Sequence, residues 1–251
     1  MNQELIKVYG LIGILAILIV NVYNTAFKGG RFTCNKYILN TYLYILLALV
    51  IICLENIILD NQNVSVEKIF GPFRGWAGVI LLFVLSLGLL ITLLGVNPKN
   101  VFLKHLLWFV FVLFLGLLAY PSYISTLENN TFVATLFSTI GILILFTVIS
   151  FLKPDLIQLS VGPILGFLLL AGIITELCFY FFGRKEHRQG RSKGFAYFFI
   201  GLFTIFILYD TKKIQVAAKM CKESNVDYIN QSLGIVLDGL NLFQNLAIVN
   251  E

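Results

Sequence analysis

Eight long apolar runs constrain the fold of this chain more than any other feature. They cover residues 5–27, 37–59, 76–96, 101–120, 131–152, 160–182, 195–220 and 229–249. Each run is close to the roughly 20 residues that an α-helix needs to cross about 30 Å of hydrocarbon. The runs are continuously apolar and do not alternate with a period of two, which excludes a β-barrel. The sequence therefore predicts an all-α, polytopic membrane protein with eight spanning helices.

The composition leaves no room for a soluble enzyme or binding domain. Hydrophobic residues make up 59% of the chain and charged residues only 12%. The connections between the runs are short and carry turn formers and charges, as in Gly71-Pro72 and Lys153-Pro154-Asp155. The first run has no obvious small-residue cleavage site, so we interpret it as a retained helix, with a signal peptide as the alternative.

The basic residues predict an orientation and a lipid partner. The net charge is +5, but the Lys and Arg residues lie mainly between the spans, where they contact headgroups, and nucleic-acid binding is not supported. Ten of the 18 fall on one side, which includes Lys104. That side takes the connections 28–36, 97–104, 152–159 and 211–228. We expect it to be cytosolic, and the sequons at Asn63 and Asn129 would then face a lumen.

The cysteines and histidines carry no recognisable chemical motif. Cys34, Cys53, Cys178 and Cys221 lie far apart without a Cys-x-x-Cys pair, so the sequence predicts neither a disulfide framework nor a metal site. His105 and His187 stand alone near polar residues, where a histidine is usually solvated.

Two acidic residues lie inside the last two apolar runs, Asp210 in Phe-Ile-Leu-Tyr-Asp-Thr and Asp238 in Ile-Val-Leu-Asp-Gly-Leu. A carboxylate near mid-bilayer costs roughly 2.5 to 3.5 kcal/mol, so an acid there points to function. If the intervening turn is centred near Ser224, each aspartate lies 14 residues from it and both reach the same depth. Asp238, Asn241 and Asn245 recur at i, i+3 and i+7 and predict a polar stripe that can line a pore.

The expected proximity of the two carboxyl groups suggests a proton-controlled gate. Two carboxylates in a low-dielectric site cannot both ionise freely, so the pair is expected to share a proton. Loss of that proton creates repulsion of roughly 4 kcal/mol at 4 Å if the effective dielectric constant is about 20. The free carboxylates are hard oxygen ligands suited to Ca²⁺, which makes Asp210 and Asp238 a candidate metal site. Alternatively, Asp210 snorkels beside Lys212 and Asp238 caps a polar contact between helices.

Two further acids lie in apolar runs. Glu176 can line the second half of a cation path, or it pairs with Arg184 or Arg188 at the interface. Glu55 is close to Asp60 near a helix end and is expected to be interfacial.

Catalysis has little support in the sequence. The common nucleotide, zinc-protease and hydrolase motifs are missing, so we expect no enzyme activity and no cofactor. A two-aspartate intramembrane protease is a weaker hypothesis, because the residues around Asp238 do not reproduce the contexts that such proteases use.

A run of short motifs near the carboxyl end resembles the signature of the Bax-inhibitor-type, or transmembrane Bax inhibitor motif, family. The motifs are Tyr209-Asp210-Thr211, Asp227-Tyr228-Ile229-Asn230, Ser232-Leu233, Leu237-Asp238 and Asn241-Leu242-Phe243. Weaker similarity begins at Asn40-Thr41-Tyr42-Leu43, and the resemblance covers about residues 37–249. It implies a seven-helix membrane fold whose last helix is surrounded by the others. It also implies a pH-sensitive Ca²⁺ leak channel that suppresses cell death, with Asp210 and Asp238 as the proton sensor.

Departures from the family pattern leave a second function open. Residues 1–30 form an extra helix before the seven-helix domain at 31–251, a feature of the family's mitochondrial branch. The run 76–96 lacks the Arg that bacterial relatives use as a latch, and Lys212 replaces the usual Gln. The alternative is therefore a structural subunit of a larger membrane assembly, without conductance. We expect residence in the endoplasmic reticulum or another endomembrane, or alternatively in the mitochondrial inner membrane, with the lipid bilayer, Ca²⁺ and other membrane proteins as partners.

Overall fold

The computed structural model describes residues 3–73, 75–182, 188–223 and 226–251. Within them, eight helices are long and apolar enough to cross a membrane, which confirms the predicted all-α polytopic class. These are α1 (Gln3–Ala26), α2 (Tyr37–Asn61), α4 (Trp76–Gly95), α5 (Val101–Glu128), α6 (Phe132–Leu152), α7 (Gly162–Phe182), α8 (Arg188–Lys219) and α9 (Tyr228–Asn250). The short helix α3 (Val66–Phe70) lies between α2 and α4.

The helix bounds depart from the prediction in three places. Helix α5 continues through Pro121 to Glu128, since a proline within a membrane helix is tolerated where neighbouring groups satisfy the freed carbonyl. Helix α8 begins at Arg188 instead of residue 195, because polar residues can extend a helix beyond the hydrocarbon. Helix α3 was expected to be a connection, but Ser65 caps it by accepting a hydrogen bond from the Lys68 amide.

The chain divides into two compact units. Unit 1 comprises Met1–Ile124 and Ala218–Leu233, and unit 2 comprises Ser125–Ala217 and Gly234–Glu251. Helices α5, α8 and α9 each contribute to both units.

In unit 1 the extra helix α1 is joined to α2 by a two-stranded hairpin, in which β1 (Phe27–Lys28) pairs with β2 (Arg31–Phe32). Gly29 and Gly30 form its turn with φ of 59° and 76°, the left-handed conformation that a tight hairpin turn requires. Asn40 then fastens α1 to α2: its amide donates to the Thr25 carbonyl over 3.1 Å, and the Thr25 hydroxyl donates back over 2.6 Å. Asn40 is fully buried, so these bonds form a polar anchor inside an apolar helix pair.

Lys104 was counted among the basic residues between the spans, but the structure places it inside a helix. It lies in the first turn of α5 and is fully buried, with its ammonium 2.9 Å from Asp227 Oδ2. The same ammonium donates to the carbonyls of Leu93 and Val96, at the end of α4, and to Asn230 Oδ1. The sequence shows a lysine between two spans, but the fold uses it to join α4, α5 and the start of α9 within unit 1.

The prediction that the cysteines form no disulfide is wrong. Cys34 and Cys221 are bonded, with their Cα atoms 5.8 Å apart, and they join the segment before α2 to the segment after α8. Their sequence separation of 187 residues gives no local spacing that could have indicated the pairing. Cys53 and Cys178 are free, and no group of three or more His, Cys, Asp or Glu residues in the described part of the chain is arranged to hold a metal ion.

The expectation that His105 is solvated is also wrong. Its Nδ1 donates to the Val101 carbonyl, and its Nε2 is 2.7 Å from the Tyr44 hydroxyl. Phe27, Phe32 and Tyr44 surround the imidazole with ring centroids 5.7–5.8 Å away. His187 lies outside the described residues.

Unit 2 has an apolar core built mainly by α8. Its buried residues are Ile157, Leu165, Phe199, Leu202, Phe203, Ile207, Leu208 and Leu242. The last α8 residue of this core, Leu208, lies two residues before Asp210, so the aspartate follows directly on the core.

Candidate ion site on the last two helices

Helix α8 is held against α6 by polar contacts on either side of Asp210. The Ser150 hydroxyl donates to the Leu208 carbonyl over 3.2 Å, and the Gln215 amide donates to the Ser150 carbonyl over 3.1 Å. Further along, the Lys212 ammonium donates to the Pro154 carbonyl over 2.6 Å. These bonds fix the axial position of α8 relative to α6, and therefore the position of the Asp210 side chain along that axis.

The Asp210 carboxyl packs directly on the backbone of α9 at Gly234. A Cβ added to Gly234 would collide with Asp210 Oδ2, and Oδ1 would be only 3.0 Å from it. Glycine is therefore required at this position for the carboxyl to approach as closely as it does.

Asp238 lies four residues after Gly234, one helical turn further along the same face of α9. Side chains on a helix lean toward its amino end, so the Asp238 carboxyl is directed back toward the Asp210 carboxyl. Four helical residues span about 6 Å along the helix axis, so the two carboxyl groups are offset along that axis by about 6 Å or less. The structure thus brings the two aspartates together within one unit, close enough for a direct electrostatic interaction.

Both aspartates are largely removed from solvent, and one oxygen of Asp238 is unsatisfied. Asp210 is 9% exposed and Asp238 is 5% exposed. The Asp238 Oδ2 atom is buried and has no hydrogen-bond partner among the described residues. Just beyond it, Gly239 lets α6 approach, since a Cβ there would be 3.3 Å from Leu143. A carboxylate oxygen in such a place needs a proton or a cation to offset the cost of its burial.

The two lysines that follow Asp210 in α8 do not provide it with a buried counter-ion. Lys213 interacts with Asp210 electrostatically but is exposed, and the ammonium of Lys212 is engaged by Pro154. This arrangement differs from the alternative in which Asp210 snorkels beside Lys212.

The polar stripe of α9 is present, but its amide nitrogens are satisfied locally. Asn241 Nδ2 donates to the Leu237 carbonyl and Asn245 Nδ2 donates to the Asn241 carbonyl, both within the helix. The two side chains are half-buried. They continue the line of Asp238 along α9.

Glu176 is exposed on α7 and is not brought to the aspartate pair. Arg184, one of its suggested partners, lies outside the described residues, as does Ser224, the expected centre of the last turn. The side chain of Arg188 is not described either.

The positioning residues Gly234, Ser150 and Gln215 were missed from the sequence. Gly234 carried a local signal, because a glycine one turn before a helical aspartate leaves that face open to another chain. Ser150 and Gln215 carried none, since their bonds join helices that are far apart in sequence.

Comparison with known proteins identifies the family. No curated protein and no solved structure matches the chain. A family model described as Inhibitor of apoptosis-promoting Bax1 matches residues 34–249, a region that begins after α1 and contains the seven other long helices. The resemblance inferred from the motifs is thereby confirmed, and the chain belongs to the Bax inhibitor family.

Proposed function

We propose that the protein is a pH-regulated cation leak, with Ca²⁺ as the conducted ion and Asp210 and Asp238 as a proton-sharing gate. The proposal rests on the position of the Asp210 carboxyl, which packs on the backbone of Gly234. One turn away, an Asp238 oxygen has no hydrogen-bond partner among the described residues. A shared proton would satisfy that oxygen and hold α8 against α9 within unit 2.

The expected energy of the gate follows from the geometry. Two full negative charges about 6 Å apart repel by about 3 kcal/mol at an effective dielectric constant of about 20. Because each 1.4 kcal/mol changes an equilibrium tenfold, this repulsion shifts a closed-to-open equilibrium by roughly a hundredfold. Removal of the shared proton therefore favours separation of the two helix faces, and the leak should increase as pH rises.

The chemistry of the site also suits the proposed ion. Ca²⁺ prefers carboxylate and amide oxygens, and the deprotonated pair would offer it two carboxylates within about one helical turn of each other. Asn241 and Asn245 continue the same face of α9, so they are the residues that we propose as an extension of the path. Glu176 is a separate proposal, because it is exposed on α7. Control of resting Ca²⁺ in this way would provide a route to modulating ion homeostasis or cell death.

The test is Ca²⁺ flux into liposomes that contain the purified protein, measured between roughly pH 6 and 8. Asp210→Asn and Asp238→Asn each keep the shape of the side chain but cannot ionise, so flux should stay low and lose its rise with pH. Asp155→Asn is the matched control, because Asp155 is exposed between α6 and α7. An unchanged pH profile in both gate variants would refute the proton-sharing gate, and absence of flux from the wild-type protein would refute the leak.

A second candidate function is an accessory subunit of a larger membrane assembly that does not conduct ions. Its support is the low burial of three spanning helices: only 6% of the apolar window of α1 is buried, and 11% of that of α4 and of α7. Purification from native membranes distinguishes the two functions. Stoichiometric co-migration with other proteins, together with no flux from the isolated chain, would favour the subunit, and fractionation of the same membranes would place it in an endomembrane or the mitochondrial inner membrane.

A further inference from the structure

A second pair of oxygen atoms lies unsatisfied inside unit 1, between α2 and α5. Asn56 is 2% exposed, and its amide nitrogen donates to the Ile52 carbonyl over 2.7 Å and to the Gly116 carbonyl over 3.2 Å. An asparagine amide has two N–H donors, and both are used here. The amide orientation is therefore fixed, and Oδ1 is left buried without a hydrogen-bond partner among the described residues.

The neighbouring residue Glu55 presents a carboxyl group to the same position on α5. A Cβ added to Gly116 would collide with Glu55 Oε2, and it would lie 3.7 Å from the amide nitrogen of Asn56. Glu55 Oε2 is also buried, and the described residues provide it with no hydrogen bond. Since the amides of α5 are already bonded within the helix, the backbone at Gly116 offers no free donor.

Two acceptor oxygens without a partner need a hydrogen-bond donor or a positive ligand. A buried carboxylate oxygen without a partner costs more free energy than a buried neutral group. Glu55 lies six residues before the end of α2, about 9 Å along the helix, and its side chain is half-buried, with Oε2 as its buried oxygen. The candidates are a proton on Glu55, a water molecule that donates to these oxygens, and a cation held by both side chains.

The oxygen set and its charge indicate which cation fits. A carboxylate and an amide oxygen are hard ligands that suit alkali and alkaline-earth ions, not the softer transition metals. The pair carries one negative charge, so a monovalent ion leaves the site neutral, whereas a divalent ion would leave an uncompensated charge in a low-dielectric region. From this geometry we infer that Glu55 and Asn56 form a binding site for a monovalent cation of the Na⁺ type, with water completing its coordination.

Labelling of wild-type protein with a hydrophobic carbodiimide tests the site without relying on transport. The reagent modifies a protonated carboxyl group in an apolar region, and bound Na⁺ keeps Glu55 ionised and unreactive. The labelled peptide is measured by mass spectrometry in NaCl and in choline chloride of equal ionic strength. At Na⁺ concentrations about ten times the dissociation constant, labelling of Glu55 should fall by about tenfold.

Variants separate ion binding from a purely structural effect. Na⁺ should raise the unfolding midpoint of the detergent-solubilised wild-type protein relative to choline, and Glu55→Gln and Gly116→Ala should abolish that difference. Glu176→Gln and Gly88→Ala are the matched controls, because Glu176 is exposed and a Cβ at Gly88 meets nothing within 4 Å. Both controls should retain the full effect of Na⁺.

Two results would overturn the assignment. Equal labelling in NaCl and choline chloride would mean that Glu55 holds a proton and binds no ion. Protection by Ca²⁺ at concentrations far below those needed for Na⁺ would mean that the site is divalent. Neither readout involves flux through the aspartate pair, so this site and the proposed gate can fail separately.

Discussion

Replacing Gly234 by alanine should disturb the aspartate pair through a single methyl group. The added Cβ would lie 2.5 Å from Asp210 Cγ and 3.0 Å from Oδ1, well inside van der Waals contact. Asp210 is 9% exposed, so its carboxyl has little free space into which it can rotate. Overpacking of this kind costs about 1–3 kcal/mol.

The gain in helix propensity must be separated from the steric effect. An alanine in place of glycine stabilises a helix interior by about 1 kcal/mol, which would hide part of the clash. Gly201→Ala on α8 provides the correction, because a Cβ there meets nothing within 4 Å. The difference between the two variants isolates the steric cost of about 1–3 kcal/mol, equivalent to about 2–12 °C in unfolding midpoint for a chain of this size.

Thermal unfolding in detergent measures this difference, and Ca²⁺ flux measures its effect on the gate. If the methyl moves the Asp210 carboxyl away from Asp238, their repulsion weakens and the flux of Gly234→Ala should depend less steeply on pH. The reasoning is refuted if Gly234→Ala is as stable as Gly201→Ala, since the carboxyl would then not rest on Gly234. Lower stability with an unchanged pH profile would keep the contact but remove its link to gating.

Two further predictions concern unit 1. Lys104→Met should destabilise the protein by about 3–5 kcal/mol, because Asp227 would remain partly buried without its cation. Lys99→Met is the control, since Lys99 is exposed in the preceding connection, and it should leave the thermal unfolding midpoint nearly unchanged. Denatured wild-type protein should present two thiols to a maleimide polymer before reduction and four after it. Cys34→Ser should present three thiols before reduction, because it releases Cys221. Four thiols in unreduced wild-type protein would contradict the disulfide.

The disulfide also bears on orientation. Disulfides persist in oxidising compartments and are rare in the cytosol, so the face that carries Cys34 and Cys221 is expected to be lumenal. Counting positive charges predicts the opposite, and Lys104 was part of that count although it is buried in an ion pair. We therefore favour the orientation given by the disulfide, which labelling of reduced thiols with a membrane-impermeant reagent in sealed vesicles would check.

The spans could be predicted because their signal is local. A run of about 20 apolar residues reports a membrane helix by composition alone, and all eight predicted runs correspond to helices in the structure. The position of each aspartate along its own helix follows from the same signal. Helix α5 extends past the proline that was expected to end it, and α8 begins among polar residues that were expected to lie outside it.

The contacts that decide chemistry could not be predicted, because they join distant parts of the chain. Lys104 and Asp227 are far apart in sequence, and so are Glu55 and Gly116. Glu55 was expected to be interfacial from its distance to the helix end. Its environment depends on the residue that α5 places opposite it, and only a glycine there admits the carboxyl oxygen.

The buried ionisable groups of this protein differ most in whether the fold satisfies them. The ammonium of Lys104 lies within reach of four oxygen atoms and has three protons to donate, so its hydrogen-bonding capacity is fully used within the protein. Its role is to hold unit 1 together. Asp210 and Glu55 each rest instead on a glycine of a neighbouring helix, Gly234 and Gly116 respectively. A glycine lets a carboxyl approach the backbone but supplies no donor, since the helix has already used its amide. The buried carboxyl oxygens without a partner among the described residues are Glu55 Oε2 on Gly116 and Asp238 Oδ2, one turn beyond Gly234. Each needs a donor, a proton or an ion from outside the chain, which is the condition that a sensor or a binding site requires.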